Sequence, residues 1–206
     1  MFNTNAWNRF RYTLWAPVYN LVAPLVRWGR RRAISLAAVQ PGERVLLLGA
    51  GTGLDLDFLP ADCHISAIDL TPAMLDRLRR RASRLGLEVD ARVMDGQALE
   101  FPDGSFDVVL LHLILAVIPD PQACAREAAR VLRPGGRVSV YDKFVPDDRS
   151  PPLFLRLANL LLRVLATEVT RKLGPILAAG GLKVREEVHL DPLGYFKAVV
   201  AVKEPM

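Results

Sequence analysis

Cysteine is scarce in this chain of 206 residues: Cys63 and Cys124 stand alone, in no C-x-x-C spacing, and the three histidines form no cluster. A disulfide framework and a zinc site are therefore not suggested, no metal is expected, and a reducing, cytoplasmic compartment is the expected setting. Long apolar runs are also missing. No stretch reaches the roughly 18–20 uninterrupted apolar residues that a membrane span needs. Leu14–Val26 comes nearest to a signal-peptide core, but Pro17, Asn20 and Pro24 interrupt it. Arginines rather than a small-residue cleavage site follow it, so that reading is rejected. There is no internal repeat and no low-complexity tract.

Acidic residues are absent from positions 1–42, which hold six arginines, a local charge of +6. Residues 43–148 carry −5, residues 149–172 carry +4, and the tail is neutral, giving +5 for the whole. An acidic core between two basic segments suits an anionic surface as partner, or simply a solvated exterior. The first basic segment also holds all three tryptophans, Trp7, Trp15 and Trp28, with Phe2, Phe10, Tyr12 and Tyr19 among them. Trp15, Val18, Tyr19, Val22 and Val26 fall at helical spacing, interrupted near the prolines. Aromatics beside arginines fit a membrane interface. The same helix could equally pack its aromatics on the core as a lid.

The centre of the chain is Val45-Leu46-Leu47-Leu48, an apolar run that stops at Gly49, Gly51 and Gly53. A buried parallel strand reads as such a run. Glycines at its end let the backbone pass close to a ligand. Twenty residues past Gly49, a second apolar strand ends in Asp69. In open α/β sheets that pair of features holds a nucleoside. Strands are expected at Arg44–Leu48, Ile65–Asp69, Val89–Met94, Phe106–Leu111, Arg137–Tyr141, Lys183–Leu190 and Tyr195–Lys203. A short helix is expected at Leu54–Leu59, one capped by Thr71 that stops at Gly86, and one opened by Asp120-Pro121 and reaching Val131. An apolar helix follows at Leu153–Ala166, then one ending at Gly180-Gly181, while Arg133–Gly136 reads as a tight turn. This alternation predicts an α/β fold, a mostly parallel sheet with helices on both faces. The short loop Asp191–Gly194 makes the last two strands antiparallel neighbours. One domain is expected over 1–206, with 1–40 as an amphipathic lid or membrane segment and 147–172 as an inserted helical cover.

A dinucleotide fingerprint is G-x-G-x-x-G, whereas here the third glycine comes one residue early and position 54 is Leu. The segments VLLLGAGTG, AIDLTPAMLDRLRRRA, VMDGQALEFPDGSFDVVLLH and ARVLRPGGRVSVYDKF, in this order, resemble the class I S-adenosylmethionine-dependent methyltransferases. The resemblance implies a Rossmann-like seven-stranded sheet ending in an antiparallel hairpin, with S-adenosyl-L-methionine as cofactor. It implies Gly49, Gly51 and Gly53 along the methionine and ribose portion, with Ala50 and Thr52 between them. Asp69 would take the ribose hydroxyls, with Leu70 and Met74 near the adenine. Asp95 would accept the adenine amino group, with Gly96 and Gln97 beside it, and His112 would sit by the sulfonium. One position departs: the family often has an acid where this chain has Leu47. Each residue also has a plainer reading, Asp95 as a turn cap, Asp69 as helix-start chemistry and His112 as a satisfied core residue.

The run YTLWAPVYNLVAPL followed by GRRRAI resembles the N-terminal region of bacterial phosphatidylethanolamine N-methyltransferases. That resemblance implies a lipid or lipophilic amine as acceptor at an anionic membrane surface. An amine acceptor must lose its proton before it can attack, and Tyr19, His112, Tyr141 and Asp142 are the candidates to assist. A quinone precursor or another small molecule is the nearest alternative, and a silent cofactor-binding module at a membrane surface is another. Nucleic acid is not expected, since neither an Asn-Pro-Pro-aromatic motif nor a Pro-Cys nucleophile occurs.

Overall fold

The computed structural model describes residues 4–15, 23–146 and 168–203. Two helices come first, α1 (Asn5–Trp15) and α2 (Ala23–Ala37). The core runs through β1 (Arg44–Leu48), a 3-10 helix (Leu54–Phe58), β2 (His64–Asp69), α3 (Pro72–Leu85), β3 (Val89–Val93) and β4 (Phe106–His112). It continues through α4 (Pro121–Val131), β5 (Leu132–Lys143), α5 (Leu173–Ala179), β6 (Leu182–His189) and β7 (Phe196–Lys203). The described strands form one seven-stranded sheet in the order β3-β2-β1-β4-β5-β7-β6. β1 to β5 pair in parallel, and β7 runs antiparallel to both β5 and β6.

Side-chain alternation builds the two halves of the core. Successive residues of a strand point to opposite faces. Val45 and Leu47 of β1, with Val108 and Leu110 of β4, pack against Ile34 of α2 and Leu75 and Leu78 of α3. Leu46, Leu48, Val109 and Leu111 pack on the other face, with Cys124, Ala125 and Ala128 of α4 and Ile176 and Leu177 of α5. The helix ends are written in local chemistry. Asp120 accepts the amides of Gln122 at 3.0 Å and Ala123 at 2.9 Å, with Pro121 in the first turn of α4, where neither its fixed φ nor its missing N–H matters. Gly86 closes α3 at φ 68°, a left-handed cap that a residue with a Cβ adopts at a cost.

The short helix expected at Leu54–Leu59 is there, as a 3-10 helix over Leu54–Phe58. Several other expectations need correcting. Thr71 occupies the N-cap position of α3, but its side chain makes no capping bond. β5 starts at Leu132, so the expected tight turn Arg133–Gly136 lies inside the strand. The pairing accommodates it as a register shift: Leu132 meets Phe106, and the ladder resumes with Arg137 on Val108. The face running from Trp15 to Val26 falls largely on residues 16–22, and the Leu153–Ala166 helix on 153–166, all outside the described residues. Among the described residues no helix is long and apolar enough to cross a membrane.

This topology opens one place for a ligand. The chain leaves β1 toward β2 and β3 on one side and returns to β4 and β5 on the other. Beyond the carboxyl ends of two strands whose connections diverge, a crevice forms.

Candidate active site

A cleft lies at that switch point, with about 780 Å³ of empty space including its open mouth. Its floor is the loop after β1 (Gly49, Ala50, Gly51, Thr52 and Leu54), and one side is Asp69, Leu70, Thr71 and Met74. Met94 and Gly96 follow β3, and His112, Leu113 and Ile114 follow β4. Asn8 and Tyr12 of α1 and Arg30 of α2 complete the wall.

The glycines of the loop serve different ends. Gly51 has φ 54°, and a Cβ built on it meets no protein atom within 4 Å, although the residue lines the cleft. Its missing side chain leaves room for a ligand. A Cβ on Gly53 would stand 2.9 Å from Leu78 and 3.1 Å from Leu56, so that glycine lets α3 approach the loop; Gly53 itself is not on the wall. The Gly51 amide donates to Asp69 Oδ2 at 2.9 Å, and the Thr71 amide to Asp69 Oδ1 at 2.8 Å. Burial pushes the Asp69 carboxyl above its ordinary pKa, against the opposing pull of these amides. Further hydrogen-bond donors from a ligand would relieve that penalty.

At the end of β3 the second acid is held from both sides. Asp95 accepts the Gln97 amide at 2.9 Å and the Gln97 side chain at 3.0 Å through Oδ1. Its Oδ2 accepts from Asn5 Nδ2 of α1 at 2.5 Å. Gln97 in turn accepts the Asp120 amide at 2.8 Å, tying this corner to α4. Asp95 and Gln97 stand behind the wall, which is formed here by Gly96.

His112 reaches the cleft but is only 4% exposed. Its Nδ1 lies 2.7 Å from Asp55 Oδ1, and its Nε2 lies 3.0 Å from Ser139 Oγ. Ser139 Oγ also donates to the Ala33 carbonyl at 3.2 Å. Asp55 pairs with Arg30 Nη1 as well, so two cation-capable groups share one buried carboxylate. Burial would raise the Asp55 pKa, yet the charges of Arg30 and His112 and their hydrogen bonds hold it well below the usual carboxylate range. Both His112 nitrogens are engaged inside the protein, a geometry for holding the end of β4 against α2.

The remaining catalytic candidates fall elsewhere. Tyr141 is buried, and a Cβ on Gly29 would come within 2.3 Å of its ring, so α2 rests on it directly. Asp142 is fully buried and accepts the Ala116 amide at 2.9 Å, which fixes the loop after β4. Neither lines the cleft: the structure places both behind the wall, where packing under α2 and the Ala116 amide already occupy them. Tyr19 lies outside the described residues. The position often acidic in the family, Leu47, is 1% exposed and packs toward α2 and α3.

Asn8, Tyr12, Arg30 and Asp55 were missed by the sequence reading. A signal existed for two of them. Arg30 shares a helix face with Val26, Ala33 and Ala37, and Asp55 stands between Leu54 and Leu56. A charge at an apolar position is a buried charge, and it needs a partner.

A parallel sheet with a glycine loop and two strand-end acids around one cleft defines a nucleoside-binding α/β protein, and the comparisons narrow it. Residues 46–140 match the family model described as a methyltransferase domain. A phosphatidylethanolamine N-methyltransferase of Cereibacter sphaeroides is 36% identical over 138 residues, covering 66% of this chain and 68% of that one. A demethylmenaquinone methyltransferase of Thermus thermophilus is 38% identical over 135 residues, covering 62% and 61%. The geranyl diphosphate C-methyltransferase of Streptomyces coelicolor, solved with S-adenosyl-L-homocysteine, superposes with a TM-score of 0.67 at 16% identity, covering 80% and 70%. The chain belongs to the class I S-adenosylmethionine-dependent methyltransferases. It is a methyltransferase whose cofactor is S-adenosylmethionine, and the open cradle at Gly51 and the donor-seeking Asp69 fit that molecule.

Proposed function

We propose that this enzyme N-methylates the amine head group of phosphatidylethanolamine, or of its methylated derivatives, at a membrane surface. One observation carries the reading: α1 is amphipathic the wrong way round. Its polar residues Asn5, Asn8, Arg11 and Tyr12 turn toward the protein, while Trp7, Phe10 and Leu14 are 37%, 63% and 71% exposed along one face. Trp28 of α2 is exposed as well, among the exposed Arg27, Arg31 and Arg32. An apolar, aromatic row beside arginines is costly in water and favourable at a lipid interface. The name of the Cereibacter sphaeroides relative supports the same substrate class.

When bound, S-adenosylmethionine supplies a methyl group on a positively charged sulfur. The protein then has to hold, orient and exclude water. Asp69 would accept the ribose hydroxyls, Leu70 and Met74 would lie along the adenine, and Asp95 with the Gly96 amide would take its edge. Gly49 to Gly53, with Ala50 and Thr52, would carry the rest, while Gln97 orients Asp95. α1 would exclude water from above.

An aliphatic amine with pKa of about 10.4 is neutral in only about a thousandth of molecules near neutral pH, and transfer needs its lone pair. Burial beside the basic wall residue Arg30 favours the neutral amine. Tyr12, on the wall, would face the acceptor. His112, on the wall, with Tyr141 and Asp142 behind it, would hold that wall in position. Helices α1 and α2 of the basic N-terminal segment would cover the site.

A quinone precursor is the second reading, favoured by the apolar wall at Leu113, Ile114, Val117 and Ile118 and by the Thermus thermophilus relative. The test supplies S-adenosylmethionine carrying a labelled methyl together with a total bacterial lipid extract. Label in methylated phosphatidylethanolamine is the expected result; label in a quinone, or in neither, refutes the first reading.

A further inference from the structure

Arg11 is buried to 6% exposure, in the same class as Arg30. Arg30 has the Asp55 carboxylate. Among the described residues no carboxylate lies within ion-pair distance of Arg11, and its Nε has no hydrogen-bond partner. What it does have is neutral: Nη2 donates to Asn8 Oδ1 at 2.8 Å, and the guanidinium sits 4.9 Å from the centroid of the Tyr12 ring. Asn8 and Tyr12 both line the cleft, with Arg11 directly behind them, and Asn8 Nδ2 is itself fixed to the Val117 carbonyl at 3.0 Å. A guanidinium held against two wall residues, with an unpartnered Nε and no counter-charge among the described residues, is costly to bury. Its planar fork suits one kind of ligand, an oxyanion.

Two oxyanions come with the reactants, the carboxylate of the cofactor and the phosphate of a phospholipid. Position favours the second. Along α1, Asn5 reaches Asp95 beside β3, and Arg11 stands six residues, about 9 Å, farther along the helix. The other buried arginine, Arg30, already lines the wall near the glycine loop. A phospholipid whose amine enters the cleft brings its phosphodiester in two carbons behind. The exposed row on the outer side of α1 leaves the acyl chains outside.

We propose that Arg11, fixed by Asn8 and set against the Tyr12 ring directly behind the wall, receives the phosphodiester of the acceptor lipid and so selects phospholipid amines over uncharged acceptors. The inference rests on the lipid-amine reading above. Its test compares wild type with Arg11→Gln and Arg11→Lys, using short-chain phosphatidylethanolamine as acceptor. In Arg11→Gln the KM for that lipid rises about ten- to a hundredfold, as loss of a charge-assisted hydrogen bond implies. Arg11→Lys recovers part of the loss, since it keeps the charge but not the fork. Calorimetric affinity for S-adenosylhomocysteine stays unchanged.

Stability supplies a readout independent of turnover. Without ligand, the Tm of Arg11→Gln does not fall, because an uncompensated charge has been removed, and inorganic phosphate raises the Tm of wild type alone. An unchanged KM overturns the proposal. So does a matching loss of S-adenosylhomocysteine affinity, which would assign the guanidinium to the cofactor carboxylate. A fall in Tm with KM unmoved makes Arg11 a structural residue. A wild-type enzyme that methylates no phospholipid but binds S-adenosylhomocysteine overturns the lipid reading, and the phosphodiester assignment with it.

Discussion

Asp69 and Asp55 are two buried carboxylates with opposite environments, and their titrations have opposite signs. The Asp69 carboxyl sits above its ordinary pKa because burial outweighs two amide bonds. Only its ionised form accepts both hydroxyls of a ribose. Affinity for S-adenosylhomocysteine should therefore fall on acidification, with a midpoint above the ordinary aspartate value of about 3.9, as calorimetry across pH would show. Asp69→Ala should weaken that affinity by about ten- to a hundredfold. Asp55 is depressed instead, by Arg30 and His112. Its contribution to stability is fully present above the unfolded-state pKa and is lost as pH falls toward the folded one, so it erodes only below about pH 4. Asp55→Asn leaves Arg30 buried without its counter-charge and should cost about 3–5 kcal/mol in denaturant unfolding. Gly51→Ala combines a left-handed backbone with a methyl in the open cradle. It should destabilise the fold by about 1–2 kcal/mol and lower cofactor affinity at the same time.

At the scale of the element, the central strands and α4 were legible because their signals are local. Four apolar residues followed by glycine make a buried strand and its end, and Asp120-Pro121 makes a helix start. The course of β5 was not legible, because Pro134-Gly135-Gly136 has the chemistry of a turn and only pairing with β4 keeps it in the sheet. Asp142 and Tyr141 follow β5 toward its end and looked like candidates for the cleft. Their direction depends on how that strand is covered by α2, which no spacing along the chain reveals. α1 was read as aromatic and basic, yet which side of it faces inward is decided by Asp95 and Val117, about ninety and over a hundred residues away. Replacing Phe10 and Leu14 by serine removes mainly exposed apolar surface. Flotation with anionic vesicles should drop sharply, by about 1–3 kcal/mol of binding per side chain, while the Tm holds.

For the whole molecule, the order of strands follows from the alternation of apolar runs and helices, and the location of the cleft follows from that order. Its roof does not, since it comes from the segment that precedes the first strand in the chain. The charge is also divided: the basic segments flank an acidic core. Binding to vesicles should strengthen with the fraction of anionic lipid and weaken as salt rises from low to physiological strength, since charges at the surface are screened within about 8 Å at 0.15 M.

α1 closes the cleft from Asn5 and Asn8 on its inner side and presents Trp7, Phe10 and Leu14 on its outer side. One rigid helix thus answers to two solvents. On the proposed membrane reading, a bilayer that drew the outer row toward itself would load the same helix that bonds to Asp95, so bilayer and cofactor would be thermodynamically linked, reciprocally. Whatever factor vesicles impose on the affinity for S-adenosylhomocysteine, S-adenosylhomocysteine must impose on the affinity for vesicles. On the lipid-amine reading proposed above, the spent cofactor would then set how long the enzyme stays on the membrane.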